Sequence, residues 1–207
     1  MSAVTIVGAG SLAGAVGALA RNAGAEIQVL ARDGEKASTL AAELGGSGAT
    51  LGADITGEIV VLAVPYDAVA DILTQYGEAL VGKILVDATN PVDFATFDGL
   101  VVPADSSAAR LIQDAAPQAR VVKAFNANFG ATLATGTAGA QPTTVLVAGD
   151  DAEAKQAVAD LAAAAGLRAV DAGALKRARE LEALAFLQIT LAAAGKTPWT
   201  GGFSLAS

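Results

Sequence analysis

The first residues able to do chemistry are Gly8, Ala9, Gly10, Ser11 and Leu12, which follow directly on the apolar run from Ala3 to Val7. A strand that ends in G-x-G and continues as a helix leaves the first helical N–H groups unpaired, beside the positive end of the helix dipole. Such a turn is a cradle for phosphate. Gly8 permits the tight turn, Gly10 lets the backbone approach a pyrophosphate, and Ala13 takes the third place of the fingerprint, where a small side chain allows close helix–strand packing. Alone, the motif is weakly specific. A helix from Leu12 to Ala23 and a second strand from Glu26 to Leu30 supply the βαβ context it requires.

The next chemical position lies at the end of that second strand. An acid about 20 residues beyond the glycines would bind a ribose 2′-hydroxyl, but Ala31 stands there, followed by Arg32. A carboxylate repels a 2′-phosphate, whereas a guanidinium grips one through bidentate, charge-assisted hydrogen bonds. The pattern reads as an NADP site, with Lys36 one turn on as a second cation. The alternative for both side chains is ordinary solvated charge.

Three later strand ends offer the remaining candidates, because open α/β sheets bind ligands at the carboxyl ends of their strands. Ile59 to Ala63 is an apolar strand closed by Val64 and Pro65, and a rigid apolar turn there is either a wall for a nicotinamide ring or simply the start of the helix Tyr66 to Gln75. Ile84 to Asp87 runs into Ala88-Thr89-Asn90-Pro91, where Asn90 either bonds a cofactor or caps the turn. Val121 to Asn126 is a further strand that ends in polar residues. Between them, Val92 to Asp105 shows no period and reads as a pocket wall, a lid, or a loop packed on the domain.

Composition sets the elements that must position these residues. Hydrophobic residues make up 53% of the 207 and aromatics only 4%, as expected of buried Val, Ile and Leu strands under alanine-rich helices. The expected fold is α/β, a doubly wound, mainly parallel sheet of Rossmann type with a short C-terminal helical segment. One domain over 1–207 is expected, with 175–207 a closing helix and tail. A third strand around Ala49 to Leu51 and a short helix are expected within Gly45 to Gly57. Leu181, Leu184 and Leu187 mark the apolar face of the closing helix, as core or as the surface of a homodimer.

Absences are equally informative. The chain has no cysteine and no histidine, which removes disulfides, thiol nucleophiles, Cys or His zinc sites and a Ser-His-Asp triad. An all-carboxylate cation site stays open, although no metal ligands are assigned. A net charge of −8 argues against a nucleic-acid partner. The N-terminus has no charged n-region and the most apolar segment, Ala183 to Gly195, is too short to span a bilayer, so a cytoplasmic protein with no membrane partner is expected.

Taken together, the ordered blocks resemble the NADPH:coenzyme F420 oxidoreductases, the NADPH-binding domain of the STEAP-type ferric reductases, and more broadly the pyrroline-5-carboxylate-reductase-like Rossmann proteins. The resemblance rests on Gly8 to Leu12, Ala31-Arg32, Ala63-Val64-Pro65, Gly82 to Pro91, Asp105 to Ala109 and Val121 to Asn126. It implies pyrophosphate at Ala9 to Leu12, 2′-phosphate at Arg32, nicotinamide ribose near Val64 and Pro65, and the ring near Asn90, Pro91, Ala124, Phe125 and Asn126. It also implies a second redox ligand stacked on the nicotinamide, either coenzyme F420 (a deazaflavin) or FMN/FAD. Ala31 departs from the serine or threonine usual in that family, and Asn126 stands where the F420 enzymes carry a histidine.

The implied reaction is hydride transfer between stacked rings, which requires positioning but no acid, base or nucleophile. No catalytic side chain is therefore assigned. Reduction of a small carbonyl or imine, the first alternative, would need a proton donor. Tyr66, Lys123 and Asp87 are in reach by sequence, yet each has a structural reading: a helix-start aromatic, a strand-end ammonium in solvent, and a strand-end acceptor. The second alternative is a non-catalytic NADPH-binding sensor.

Overall fold

Unbroken runs of Val, Ile and Leu bury both faces of a strand, and successive side chains go to opposite layers. The computed structural model, which describes residues 2–205, follows this rule strand by strand. The elements are β1 (Ala3–Val7), α1 (Ser11–Asn22), β2 (Glu26–Ala31), α2 (Gly34–Leu44), β3 (Ser47–Thr50), β4 (Ile59–Leu62), α3 (Val69–Tyr76), β5 (Ile84–Asp87) and α4 (Ala108–Ala115). They continue with β6 (Arg120–Lys123), α5 (Gly130–Thr135), β7 (Thr137–Ala138), β8 (Gln141–Pro142), β9 (Thr144–Gly149), α6 (Ala152–Ala164), β10 (Arg168–Gly173) and α7 (Ala178–Ala193). Val4, Ile6, Val61, Val86 and Val122 pack against α1, α2 and α6. Their neighbours Val7, Leu62, Leu85 and Val121 face the other layer, with α3, α4 and the start of α7.

The main sheet runs β10-β9-β6-β5-β4-β1-β2-β3. Its six strands from β3 to β6 are parallel, while β9 is antiparallel to β6 and β10 runs parallel to β9. The expected doubly wound, mainly parallel Rossmann sheet with a C-terminal helix is what forms. Chain order reverses between β1 and β4, which opens a crevice at their carboxyl ends. Side-chain caps set the helix starts: Asp33 accepts from Glu35 and Lys36 N–H, Ser107 from Arg110 N–H, and Asp151 from Ala154 N–H.

Three local expectations need correction. No helix forms between β3 and β4, because side chains satisfy that backbone instead: Gly52 N–H donates to the Tyr76 hydroxyl (2.8 Å), Gln28 donates to Asp54 O (2.8 Å) and accepts from Thr56 N–H (3.1 Å). The buried face of α7 does not run through Leu181, Leu184 and Leu187, of which only Leu181 is buried. It carries Ala178, Leu181, Glu182, Ala185, Gln188, Ile189 and Ala192, while Leu187 is 50% exposed. And the Lys123 ammonium is not in solvent.

Lys123 is fully buried. Its register partner across β5 and β6 is Asp87, and both side chains share the α4/α7 side of the sheet with Leu85 and Val121, two residues back. Lys123 Nζ lies 2.8 Å from Asp87 Oδ2, 2.7 Å from Thr89 O and 2.9 Å from Glu182 Oε1. Asp87 Oδ1 accepts from Thr89 N–H (2.9 Å) and from the Thr89 hydroxyl (2.7 Å). Glu182, on α7, also accepts from Ala108 N–H (2.9 Å) and Ala109 N–H (3.3 Å) at the start of α4. One ammonium thus joins two strand ends and two helices. The cluster holds two carboxylates against one cation, and burial pushes the Glu182 carboxyl above its ordinary value despite Lys123.

Removing one partner of such a group strands the others in a low-dielectric interior. Lys123→Met is expected to lower stability by about 3–5 kcal/mol, read as a reduced urea midpoint. A pH test isolates Glu182. Because its folded pKa is raised above the reference value of 4.5, its stabilising contribution is full below that value and is lost as pH rises through the folded pKa. Against the non-titrating Glu182→Gln variant, the wild type is therefore expected to gain relative stability as pH falls from neutral toward that reference value.

Candidate functional site

At the carboxyl end of β1 the chain must turn sharply while β4 passes beside it. Gly8 has φ of 129° and donates from its N–H to Leu30 O at 2.8 Å. A Cβ at this position would lie 2.9 Å from the carbonyl carbon of Ala63, and closer still to its oxygen. Only glycine meets both conditions. Gly10 serves a different purpose. It is the N-cap of α1 in an extended conformation without a side-chain cap, and a Cβ built on it would have no heavy atom within 4 Å. The backbone here tolerates a side chain; the space in front of it is simply open, next to the uncapped start of the helix.

That space belongs to a cleft of about 880 Å³. Of the residues singled out by sequence, Gly8, Ala9, Gly10, Ala31, Arg32, Lys36, Ala63, Val64 and Pro65 line it. Ser11 is exposed at the first turn of α1 and Leu12 is half-buried beside it. Arg32 is exposed and makes no ion pair or side-chain hydrogen bond among the described residues. Lys36 is different: its ammonium lies 3.5 Å from Asp33 Oδ2. The two N–H bonds and the nearby ammonium hold the Asp33 carboxyl below its ordinary range, the Lys36 N–H bond being the largest cause.

The remaining predicted residues form a second group at the ends of β5 and β6, outside the lining of that cleft. Pro91, Ala124, Phe125 and Asn126 are buried and Asn90 is half-buried. Asn90 Nδ2 donates to Asn126 O (2.9 Å), and Asn126 Nδ2 donates to Asn90 Oδ1 (3.1 Å) and to Leu181 O (3.1 Å) on α7. Two acceptors facing Nδ2 fix the orientation of the Asn126 amide. Its Oδ1 is buried and has no partner among the described residues. Phe125, with φ of 65°, is a non-glycine residue in the left-handed region, a conformation that costs about 1–3 kcal/mol and tends to mark functional sites.

Sequence reading missed part of the lining. Thr50 enters from the end of β3 and Leu51 from just beyond it, and Asp67, Asp71, Ile72 and Gln75 from the turn and helix after Pro65. Asp67 and Asp71 sit four apart, which places them on one helical face, the available signal. The Lys123–Glu182 pair was also missed. Asp87 and Lys123 occupy equivalent last positions of their strands, and that equivalence was the legible clue.

The family model described as "NADP oxidoreductase coenzyme F420-dependent" matches residues 3–91, which span β1 to the end of the Asn90-Pro91 turn. An F420-dependent NADP reductase of Methanocaldococcus jannaschii is 35% identical over 70% of this chain and 66% of that protein, just under two thirds of its length. A solved Arthrobacter protein, provisionally named an F420-dependent NADP reductase, superposes over 100% of both chains with a TM-score of 0.86 at 28% identity. An F420-dependent NADP reductase of Methanothermobacter marburgensis is 33% identical over 82% of this chain and 82% of its own. On that extent of likeness, and with the glycine turn and free arginine in place, the chain belongs to the coenzyme F420-dependent family of NADP oxidoreductases.

Proposed function

We propose that this chain is one NADPH-binding unit that moves a hydride between NADPH and coenzyme F420. The observation that carries the reading is the pairing, on one cleft, of an uncapped helix start at Gly10 with an uncommitted guanidinium at Arg32. An extended dinucleotide phosphate presents anions at both places, the pyrophosphate to the Ala9–Leu12 turn and the 2′-phosphate to Arg32. Ala63, Val64 and Pro65 then form the apolar wall toward the nicotinamide ribose. Asn90, Pro91 and the Ala124–Asn126 segment hold the ring end, where the unpartnered Asn126 Oδ1 is suited to a carboxamide or ring N–H donor.

When bound, NADPH supplies the hydride and the second ring takes it together with a proton from solvent, so the residues here bind, align and exclude water. Two observations favour a ring acceptor over a small carbonyl or imine. The Lys123 ammonium directs its hydrogens to Asp87, Thr89 O and Glu182 and is fully buried, so it has no route to a substrate. Burial, reinforced by Glu182 and Asp87, raises the pKa of the Tyr66 phenol above its ordinary value, which makes it a weaker acid. The family likeness favours the deazaflavin over FMN or FAD as that ring. No helix among the described residues is long and apolar enough to cross a membrane.

The reaction is tested by mixing purified protein with NADPH and oxidised F420 and following F420 absorbance; turnover is expected with F420, and turnover with FMN alone would reassign the acceptor. Arg32→Ala is expected to raise the KM for NADPH about 10–100-fold, the loss of one or two charge-assisted bonds, while NADH changes little. Failure of NADPH to bind would overturn the site. The two glycines should separate. Gly10→Ala is expected to weaken NADPH binding with the melting temperature unchanged, since its methyl occupies only the cradle. Gly8→Ala is expected to lower both, through clash with Ala63 and a strained φ.

A further inference from the structure

The 2′-phosphate end of the proposed NADPH site has fewer free donors than its sequence promises. Asp33 Oδ1 already takes the Glu35 and Lys36 N–H groups (3.1 and 3.2 Å), so the start of α2 is capped from within. Lys36 is drawn to Asp33 Oδ2. Ala31 brings no hydroxyl. Arg32 is the cation with no carboxylate partner among the described residues, and one guanidinium can occupy only part of a phosphate that has three terminal oxygens.

The neighbouring strand presents a hydroxyl to the same cleft. Thr50, the last residue of β3, is the register partner of Ala31 across the β2–β3 pair, and Leu51 N–H donates to Ala31 O at 2.9 Å. Thr50 is exposed and lines the same cleft as Arg32 and Lys36. Its Oγ1 reaches over Gly34 so closely that a Cβ on residue 34 would collide with it, and that Cβ would be 3.6 Å from Thr50 Cβ. The hydroxyl makes no hydrogen bond to another side chain or to backbone among the described residues. Glycine at 34, at the start of α2, is thus what leaves room for a free hydroxyl in the cleft that the arginine also lines.

Resting on the NADPH reading, we infer that Thr50 is a specificity-determining residue: its hydroxyl donates to the 2′-phosphate and, with Arg32, separates NADPH from NADH. A phosphate oxygen is a charged acceptor and forms the stronger bond, whereas the 2′-hydroxyl of NADH offers only a neutral one. The contact spans the β2–β3 edge, from the register partner of Ala31, which has no hydroxyl of its own.

The test uses 2′,5′-ADP, which carries the 2′-phosphate without the nicotinamide, and 5′-AMP, which lacks it, both titrated calorimetrically into the full chain. Thr50→Val keeps the side-chain shape and deletes the hydroxyl. It is expected to weaken 2′,5′-ADP about 5–10-fold, leave 5′-AMP within about 2-fold and leave the melting temperature unchanged, while Thr50→Ser retains wild-type affinity. Gly34→Ala, which displaces the hydroxyl, is expected to match Thr50→Val. Equal weakening of both nucleotides, or unchanged 2′,5′-ADP affinity in Thr50→Val, overturns the role of Thr50 while the NADPH site stands. Wild-type protein that binds 2′,5′-ADP no better than 5′-AMP overturns both.

Discussion

Much of this molecule is arranged around three charges removed from water. Lys123, Asp87 and Glu182 have fully buried side chains, and each ion out of water costs several kcal/mol that only close pairing and full hydrogen bonding recover. The geometry that achieves this fixes other things as well. Asp87 and Lys123 must be register partners at the carboxyl ends of β5 and β6, α7 must lie across them to deliver Glu182, and α4 must begin where its first N–H groups meet that carboxylate. The loop after β5 is held through Thr89, and Asn126 is held to α7 through Leu181 O. The rim on which the ring end of the site is proposed is therefore only as well placed as the buried ammonium beneath it.

The other half of the crevice is built on the opposite principle. At the ends of β1, β2 and β3 the structure keeps polar groups accessible and unpaired among the described residues: the start of α1, the Arg32 guanidinium and the Thr50 hydroxyl. Gly8 brings Ala63 close, Gly10 leaves the cradle empty, and Gly34 leaves the threonine its position. A site for a long anion needs donors that the fold does not consume, and glycine provides them by withholding side chains. At the ring end the donors are consumed, Asn90 Nδ2 by Asn126 O and Asn126 Nδ2 by Asn90 Oδ1 and Leu181 O, and what remains is one acceptor, Asn126 Oδ1, beside a strained Phe125. The contrast suits a ligand that is anionic at one end and planar and neutral at the other.

This division also bears on chemistry. Enzymes that reduce carbonyl or imine carbon place a proton donor near the hydride, and a buried lysine beside two carboxylates would be an obvious candidate by residue type. Its geometry here makes it a girder, with its hydrogens directed into the fold. Hydride exchange between two stacked rings asks only for alignment and dryness, which a chain without histidine or cysteine can supply.

Local patterning was enough to read the G-x-G turn, the apolar strands and the doubly wound class, because each depends on residues adjacent in the chain. The sequence did not reveal that residues 51–58 would satisfy their backbone with Gln28 and Tyr76 rather than as a helix, since those partners are tens of residues away. Nor did it show that α7 would turn Glu182 and Gln188 inward and leave Leu187 outside, for a helical period counts apolar residues and a buried ion pair inverts the count. Lys123 is the sharpest case. By type it belonged in solvent, and only strand register and the docking of α7 gave it two carboxylates and no water. What the sequence by itself determined was the glycine turn and the scaffold that carries it; what tertiary structure alone decided was where the charges went, because the energy of a charge depends on what surrounds it rather than on what precedes it in the chain.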